Sequence, residues 1–180
     1  MGTQASADLP LKPDARAAGT RLLPRPVDGS VMLALMHVAP RAARVNFYPP
    51  WEQAPLVARR DTQAFLSGYP SLPAESGEAA LLIVSELVTN AYEHSTHPGT
   101  HVAFIALSLR LFSDRLLIEV IDSSPRPPVL RPAADTEAES GRGLAVVDAL
   151  SRDWGYFFGT DQKVVYAACP IPPPTTGSRG

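Results

Sequence analysis

The sequence predicts an α+β fold, a two-layer sandwich with a mostly antiparallel sheet and its helices on one face. Three features point there. One long amphipathic helical pattern covers residues 78–95. Two pairs of strand-like runs are each joined by a short turn, the signature of hairpins. A proline-rich, acidic stretch without periodicity separates the two pairs. Hairpins with helices to cover them make a two-layer α+β sandwich.

In chain order, residues 1–30 are rich in Ala, Pro, Arg and Gly, with no sustained periodicity. They predict a loosely attached extension, taken as far as residue 42. Residues 31–39 (VMLALMHVA) are a short apolar run that fits a strand or a helical turn equally. ARVNFY at 43–48 reads as a short strand stopped by Pro49 and Pro50. A helix follows from Pro55 to about Ser67, with proline in its first turn and Gly68 and Pro70 ending it. A loop holding Pro73 and Gly77 leads to the long helix.

In that helix Leu81, Val84, Leu87, Val88 and Ala91 fall on one arc at about 100° per residue, while Ser85, Glu86, Thr89, Asn90 and Glu93 fall on the other. Leu82 interrupts the polar arc, which a purely solvated face does not need. His97-Pro98-Gly99 is a turn. Strands are expected at 101–112 and 115–122, then a lid-like loop over 123–140, then a helix from Gly143 to Ser151. WGYFFG and KVVYAAC form a last hairpin around Thr160-Asp161, and the tail at 171–180 is expected to be disordered. The central domain is thus placed at 43–170.

Composition narrows the function. The chain has 180 residues, 45% of them hydrophobic, and a formal charge of −2. Size and apolar share fit one domain with a real core. Near-neutrality excludes direct nucleic-acid binding through a basic surface. The single cysteine, Cys169, cannot pair internally and sits in an apolar run, so it reads as a buried small hydrophobe. No apolar run reaches the ~18 residues of a membrane span, and the first 30 residues lack a signal-peptide core. A soluble cytoplasmic protein is expected.

Three places carry candidate chemistry. Glu86 and Asn90 lie one helical turn apart on one face. An Asn carbonyl oxygen suits Mg²⁺, and a Glu beside it can deprotonate or orient a hydroxyl. The pair also suits an ordinary solvated helix face. Asp122 ends an apolar strand, where a carboxylate can accept a hydrogen bond from an exocyclic amine such as adenine N6; it also suits a strand-ending Asx turn. Gly141, Arg142, Gly143 and Leu144 open a helix, where glycines and free N–H groups favour phosphate, or simply cap the helix. His94, His97 and His101 are close in sequence but have no cysteine partner and straddle a Pro-Gly turn, which disfavours a metal site. Trp51 and Trp154 read as packing residues.

Together, Ser85-Glu-Leu-Val-Thr-Asn-Ala-Tyr-Glu-His94, Val120-Ile-Asp122 and Gly141-Arg-Gly-Leu-Ala-Val-Val-Asp-Ala-Leu-Ser151 with Asp153-Trp-Gly155 occur in one order. That order resembles the GHKL superfamily, the ATP-binding fold of gyrase-type topoisomerases and histidine kinases. Within it the sequence is most similar to the bacterial anti-sigma-factor serine/threonine kinases, over roughly residues 43–170. The resemblance implies ATP and Mg²⁺ as cofactors and a protein kinase acting on an anti-sigma-factor antagonist. It further implies sigma-factor capture by the same domain, commonly as a homodimer; the lack of an apolar run of spanning length separately predicts no role at a membrane. It implies that Asn90 holds Mg²⁺, that Glu86 is the general base and that Asp122 binds adenine. Gly141, Arg142, Gly143 and Leu144 would then cradle phosphates beneath the lid.

The sequence departs from the family where Asp-x-Gly-x-Gly is usual. Ser124 stands at the first glycine of that motif and Arg126 at the second. Ser124 brings a Cβ and a hydroxyl toward the base and gives up positive φ. These two residues favour the alternative function, a non-catalytic partner-binding module with a degenerate nucleotide pocket. Glu86, Asn90 and the Gly-Arg-Gly run favour the enzyme.

Overall fold

The computed structural model describes residues 38–94, 104–129 and 143–173. Residues 1–37 of the expected N-terminal extension, nearly all of the 31–39 run, His97, His101, most of the expected lid, and residues 174–180 of the final tail lie outside the described residues. So do Gly141 and Arg142.

Within the described residues the order is β1 (Ala42–Tyr48), α1 (Ala54–Ser67), α2 (Ala74–His94), β2 (Ile105–Leu111), β3 (Arg115–Asp122), α3 (Gly143–Leu150), β4 (Asp153–Phe158) and β5 (Lys163–Pro170). The strands form one antiparallel sheet in the order β1-β2-β3-β5-β4. The expected α+β architecture is observed. Each hairpin closes where the turn residues place it. Phe112 donates its N–H to the Arg115 carbonyl at 2.8 Å, and Gly159 donates to Gln162 at 2.7 Å.

Strand alternation sends Leu107, Leu109, Leu116, Ile118, Val120, Val165, Ala167 and Cys169 to the helical side. There they meet Ile83, Val84, Leu87, Val88 and Ala91 of α2 in a single core. Each fully buried aliphatic chain of this kind contributes about 1.5–3 kcal/mol. Cys169 is fully buried in that core, and burial alone pushes its thiol up to about 11. On the opposite face Phe112, Leu117, Tyr166 and Ala168 form a second, smaller apolar cluster. Beside it Arg110 and Ser108 converge on Glu119, the guanidinium at 2.6 and 3.1 Å and the hydroxyl at 2.9 Å. A buried carboxylate on an apolar sheet face is thereby paired.

Two helix boundaries differ from the sequence expectation. Helix α2 begins at Ala74, four residues before the expected Glu78, and Gly77 belongs to it rather than to a loop. Tertiary bonds explain the extension. The Ser76 hydroxyl donates to the Pro170 carbonyl at 2.9 Å, and the Cys169 thiol donates to the Ser76 carbonyl at 3.5 Å. These contacts with β5 offset the low helix propensity of Gly77, which costs about 1 kcal/mol. Gly68 does end α1, but in a right-handed conformation (φ −71°), its N–H bonded to the Phe65 carbonyl.

Edge strand β1 is tied to α1 by polar groups. Asp61 accepts from Asn46 Nδ2 at 2.8 Å and from the Tyr48 hydroxyl at 2.9 Å. Burial raises the Tyr48 hydroxyl far above its usual range, so it stays a donor. Trp154 packs as expected, buried, with its indole N–H on Asp148 at 2.9 Å. Trp51 does not; it is about half exposed (47%).

Candidate functional site

The residues singled out on α2 lie on its half-buried face. Ser85, Glu86, Thr89 and Asn90 are all intermediate in exposure, not solvated. Neighbouring helices explain this. Arg59 of α1 reaches the Ser85 hydroxyl at 3.3 Å, and the start of α3 comes down on Glu86. A purely solvated face is therefore excluded for Glu86. Burial raises its carboxyl above the ordinary range, with a further upward push from Glu93. Leu82, the apolar interruption, is exposed at the surface instead.

Gly143 is the first residue of α3. A Cβ at that position would collide with the Glu86 carboxylate oxygen and lie 3.2 Å from its carboxyl carbon. Backbone and carboxylate thus approach as closely as only glycine allows. Leu144, next in the chain, turns inward and is buried in the main core (4% exposed), where it anchors the helix start. Its side chain therefore packs, and only its backbone remains for a ligand.

Asp122 ends β3 and is buried at 2% exposure. Its Oδ1 accepts the Ser124 N–H at 2.7 Å, so the Asx turn allowed by the sequence is present. Ser124 is equally buried, and its hydroxyl accepts the Arg126 N–H at 3.3 Å. Ser124 thus acts as a structural link in the turn. Asp122 does more than close a turn, because Lys163 Nζ lies 3.3 Å from the same oxygen. Burial raises the Asp122 carboxyl; Lys163, the Ser124 N–H and the more distant His94 pull it back.

Lys163 was not legible as a site residue. It opens β5, 4% exposed, and register pairs it directly with Asp122. The one available signal was a lysine leading an otherwise apolar strand, since charged residues are buried almost only when paired.

The structure therefore brings Glu86 against Gly143, and Asp122 against Ser124 and Lys163. Asn90 sits one turn beyond Glu86 on α2, and His94, one turn further, is near enough to act electrostatically on Asp122. Among the described residues no group of three or more His, Cys, Asp or Glu side chains is arranged to hold a metal on its own. No described helix is long and apolar enough to cross a membrane.

Curated proteins gave no match. A solved structure of the RsbU and RsbW domains of Rv1364c from Mycobacterium tuberculosis has a similar fold, with a TM-score of 0.55 and 18% identity over 75% of this chain. The chain spans about a third (34%) of the length of that solved chain. The family model described as the histidine kinase-like ATPase domain matches residues 51–168, which takes in α1, α2, the central hairpin, α3 and most of the final hairpin. The chain belongs to the histidine kinase-like ATPase domain family.

Proposed function

We propose that this chain binds ATP with Mg²⁺ and acts as a serine/threonine protein kinase on an anti-sigma-factor antagonist. The reading rests on the close approach of Gly143 to Glu86, one helical turn from Asn90, with Asp122 buried at the end of β3. The residues present fit a magnesium nucleotide. Gly143 leaves its backbone bare against the Glu86 carboxylate, where a Cβ would clash, Asn90 offers an oxygen of the kind Mg²⁺ prefers, and Asp122 offers a buried acceptor.

When bound, ATP supplies the phosphoryl group; the protein's part is positioning and charge. Asn90 would hold the metal. Asp122 would accept a hydrogen bond from the exocyclic amine of the base, with Ser124 lining its turn. The backbone at Gly143 and Leu144, with Gly141 and Arg142, would receive the phosphates at the start of α3. Glu86 would take the proton of the substrate hydroxyl. Its raised carboxyl suits that task, since a general base works best with a pKa closer to the working pH.

The antagonist as substrate, a sigma factor as second partner, homodimer assembly and a cytoplasmic setting rest on the sequence resemblance. The alternative, a partner-binding module without catalysis, is favoured by one observation. The Asp122 turn is already closed on Ser124 and Lys163.

Calorimetric titration of the full chain with MgATP decides between them. Saturable binding at micromolar to millimolar ATP is expected, together with a rise in melting temperature with ligand concentration. A folded protein that binds no ATP overturns the kinase reading and leaves the partner-binding module.

Gly143→Ala gives a narrower test. Alanine is the better helix former by about 1 kcal/mol, which offsets the crowding at a side-chain end free to rotate. The melting temperature should stay within a few degrees. The Glu86 carboxylate must move, however, and a shift of about 1 Å in a catalytic group can cost about a hundredfold in rate. Phosphoryl transfer measured with radiolabelled ATP should fall while stability holds. Unchanged transfer would remove the Gly143–Glu86 contact from the mechanism.

A further inference from the structure

Among the described residues of the candidate site, the one buried cation, Lys163, belongs to no motif. Among the described residues, Lys163 Nζ makes two polar contacts, one with Asp122 Oδ1 at 3.3 Å and one with the Arg126 carbonyl at 3.0 Å. The first partner is the carboxylate offered to the base. The second belongs to the segment after β3, where the sequence resemblance leads one to expect glycines and Ser124 and Arg126 stand instead. Lys163 therefore joins the end of β3 to the segment that directly follows it.

A carboxylate buried this deeply is driven toward its neutral form unless a cation compensates it. The charged groups acting on Asp122 are Lys163 from β5 and His94 from α2, and Lys163 has the larger influence. His94 is exposed and screened by water. Hydrogen bonds to an ionised acceptor are roughly twice as strong as those to a neutral one.

We propose that Lys163 is a positioning residue of the base pocket. Its ammonium keeps Asp122 ionised and oriented toward the base, and it holds the 123–126 turn in the place that two glycines would otherwise give it. This assignment rests on the nucleotide reading above and deepens it. The residue acts through Asp122 and through the Arg126 carbonyl, without itself taking part in phosphoryl transfer.

The test uses the full chain with MgATP as probe, titrated by calorimetry between pH 6 and pH 8. The variants are Lys163→Gln and Lys163→Arg. Glutamine keeps a donor but removes the charge; arginine keeps both. The expected result is ATP binding about tenfold weaker in Lys163→Gln at pH 7.5, the difference between a charged and a neutral acceptor. The loss should deepen as pH falls, because burial raises the Asp122 carboxyl and the variant lacks the Lys163 charge that pulls it back. Lys163→Arg should recover most of the affinity and the wild-type pH profile.

Wild-type affinity in Lys163→Gln, or tighter binding with a flat pH profile, overturns the proposal and makes Lys163 a competitor for Asp122. If Lys163→Gln melts below the assay temperature, Lys163→Arg decides alone. A retained wild-type pH profile supports the assignment, and an altered one overturns it. Failure of the wild type to bind ATP is a separate result and sinks the nucleotide reading itself.

Discussion

Replacing Glu86 with Gln should lower phosphoryl transfer by about 10²- to 10⁴-fold, the range for losing a general base. MgATP affinity should stay within about threefold, because glutamine keeps the shape and the half-buried position of the side chain. The fold should also become slightly more stable at neutral pH. A carboxyl raised in the folded state stabilises it fully only below the unfolded pKa, and that stability is lost as pH rises through the folded value. Burial and Glu93 both raise Glu86, so at pH 7 the ionised group is a cost that glutamine removes. The acid limb of the wild-type transfer profile should lie above the ordinary carboxylate range. Radiolabel transfer across pH, with melting curves on both proteins, checks each part. Equal transfer by the variant would show that Glu86 is not the base.

Asn90→Ala should act on binding instead. Losing a partner one layer outside a metal commonly costs about 10–100-fold in metal affinity. Loss of a direct ligand should cost at least as much in Mg²⁺-dependent ATP affinity. The magnesium dependence itself should flatten, leaving whatever weak affinity metal-free ATP has in the wild type. The helix will not suffer, since alanine is a better helix former than asparagine. Calorimetry at fixed ATP with and without Mg²⁺ separates this outcome from misfolding. A variant with unchanged magnesium dependence would remove Asn90 from the metal.

Most of the fold was legible because its signals are local. The 3.6-residue period gave α2, the two-residue period gave the hairpins, and Ser113-Asp114 and Thr160-Asp161 marked their turns. Glu86 and Asn90 stood out because a single helix carries both. What escaped was set by distant pairing. The first turn of α2 depends on Ser76 reaching Pro170, almost a hundred residues away, and propensity at Gly77 argued against it. Lys163 meets Asp122 only through the β3–β5 register, which no local pattern encodes. Ser124 looked like a defect in a glycine motif; in the folded chain its N–H and hydroxyl organise the turn.

The strand order has a consequence for how the molecule assembles. β5 is fifth along the chain but lies between β3 and β4. A nascent chain that has produced everything up to Gln162 still has β3 with one edge unpaired, and β4 with no neighbour to zip onto. It also lacks the anchor for the start of α2. Completion of the sheet thus waits for eight residues, Lys163–Pro170, to slot between two strands already made. Non-local closure of this kind slows folding and prolongs exposure of an apolar edge. Chains halted before Lys163 should therefore be aggregation-prone intermediates rather than smaller versions of the domain.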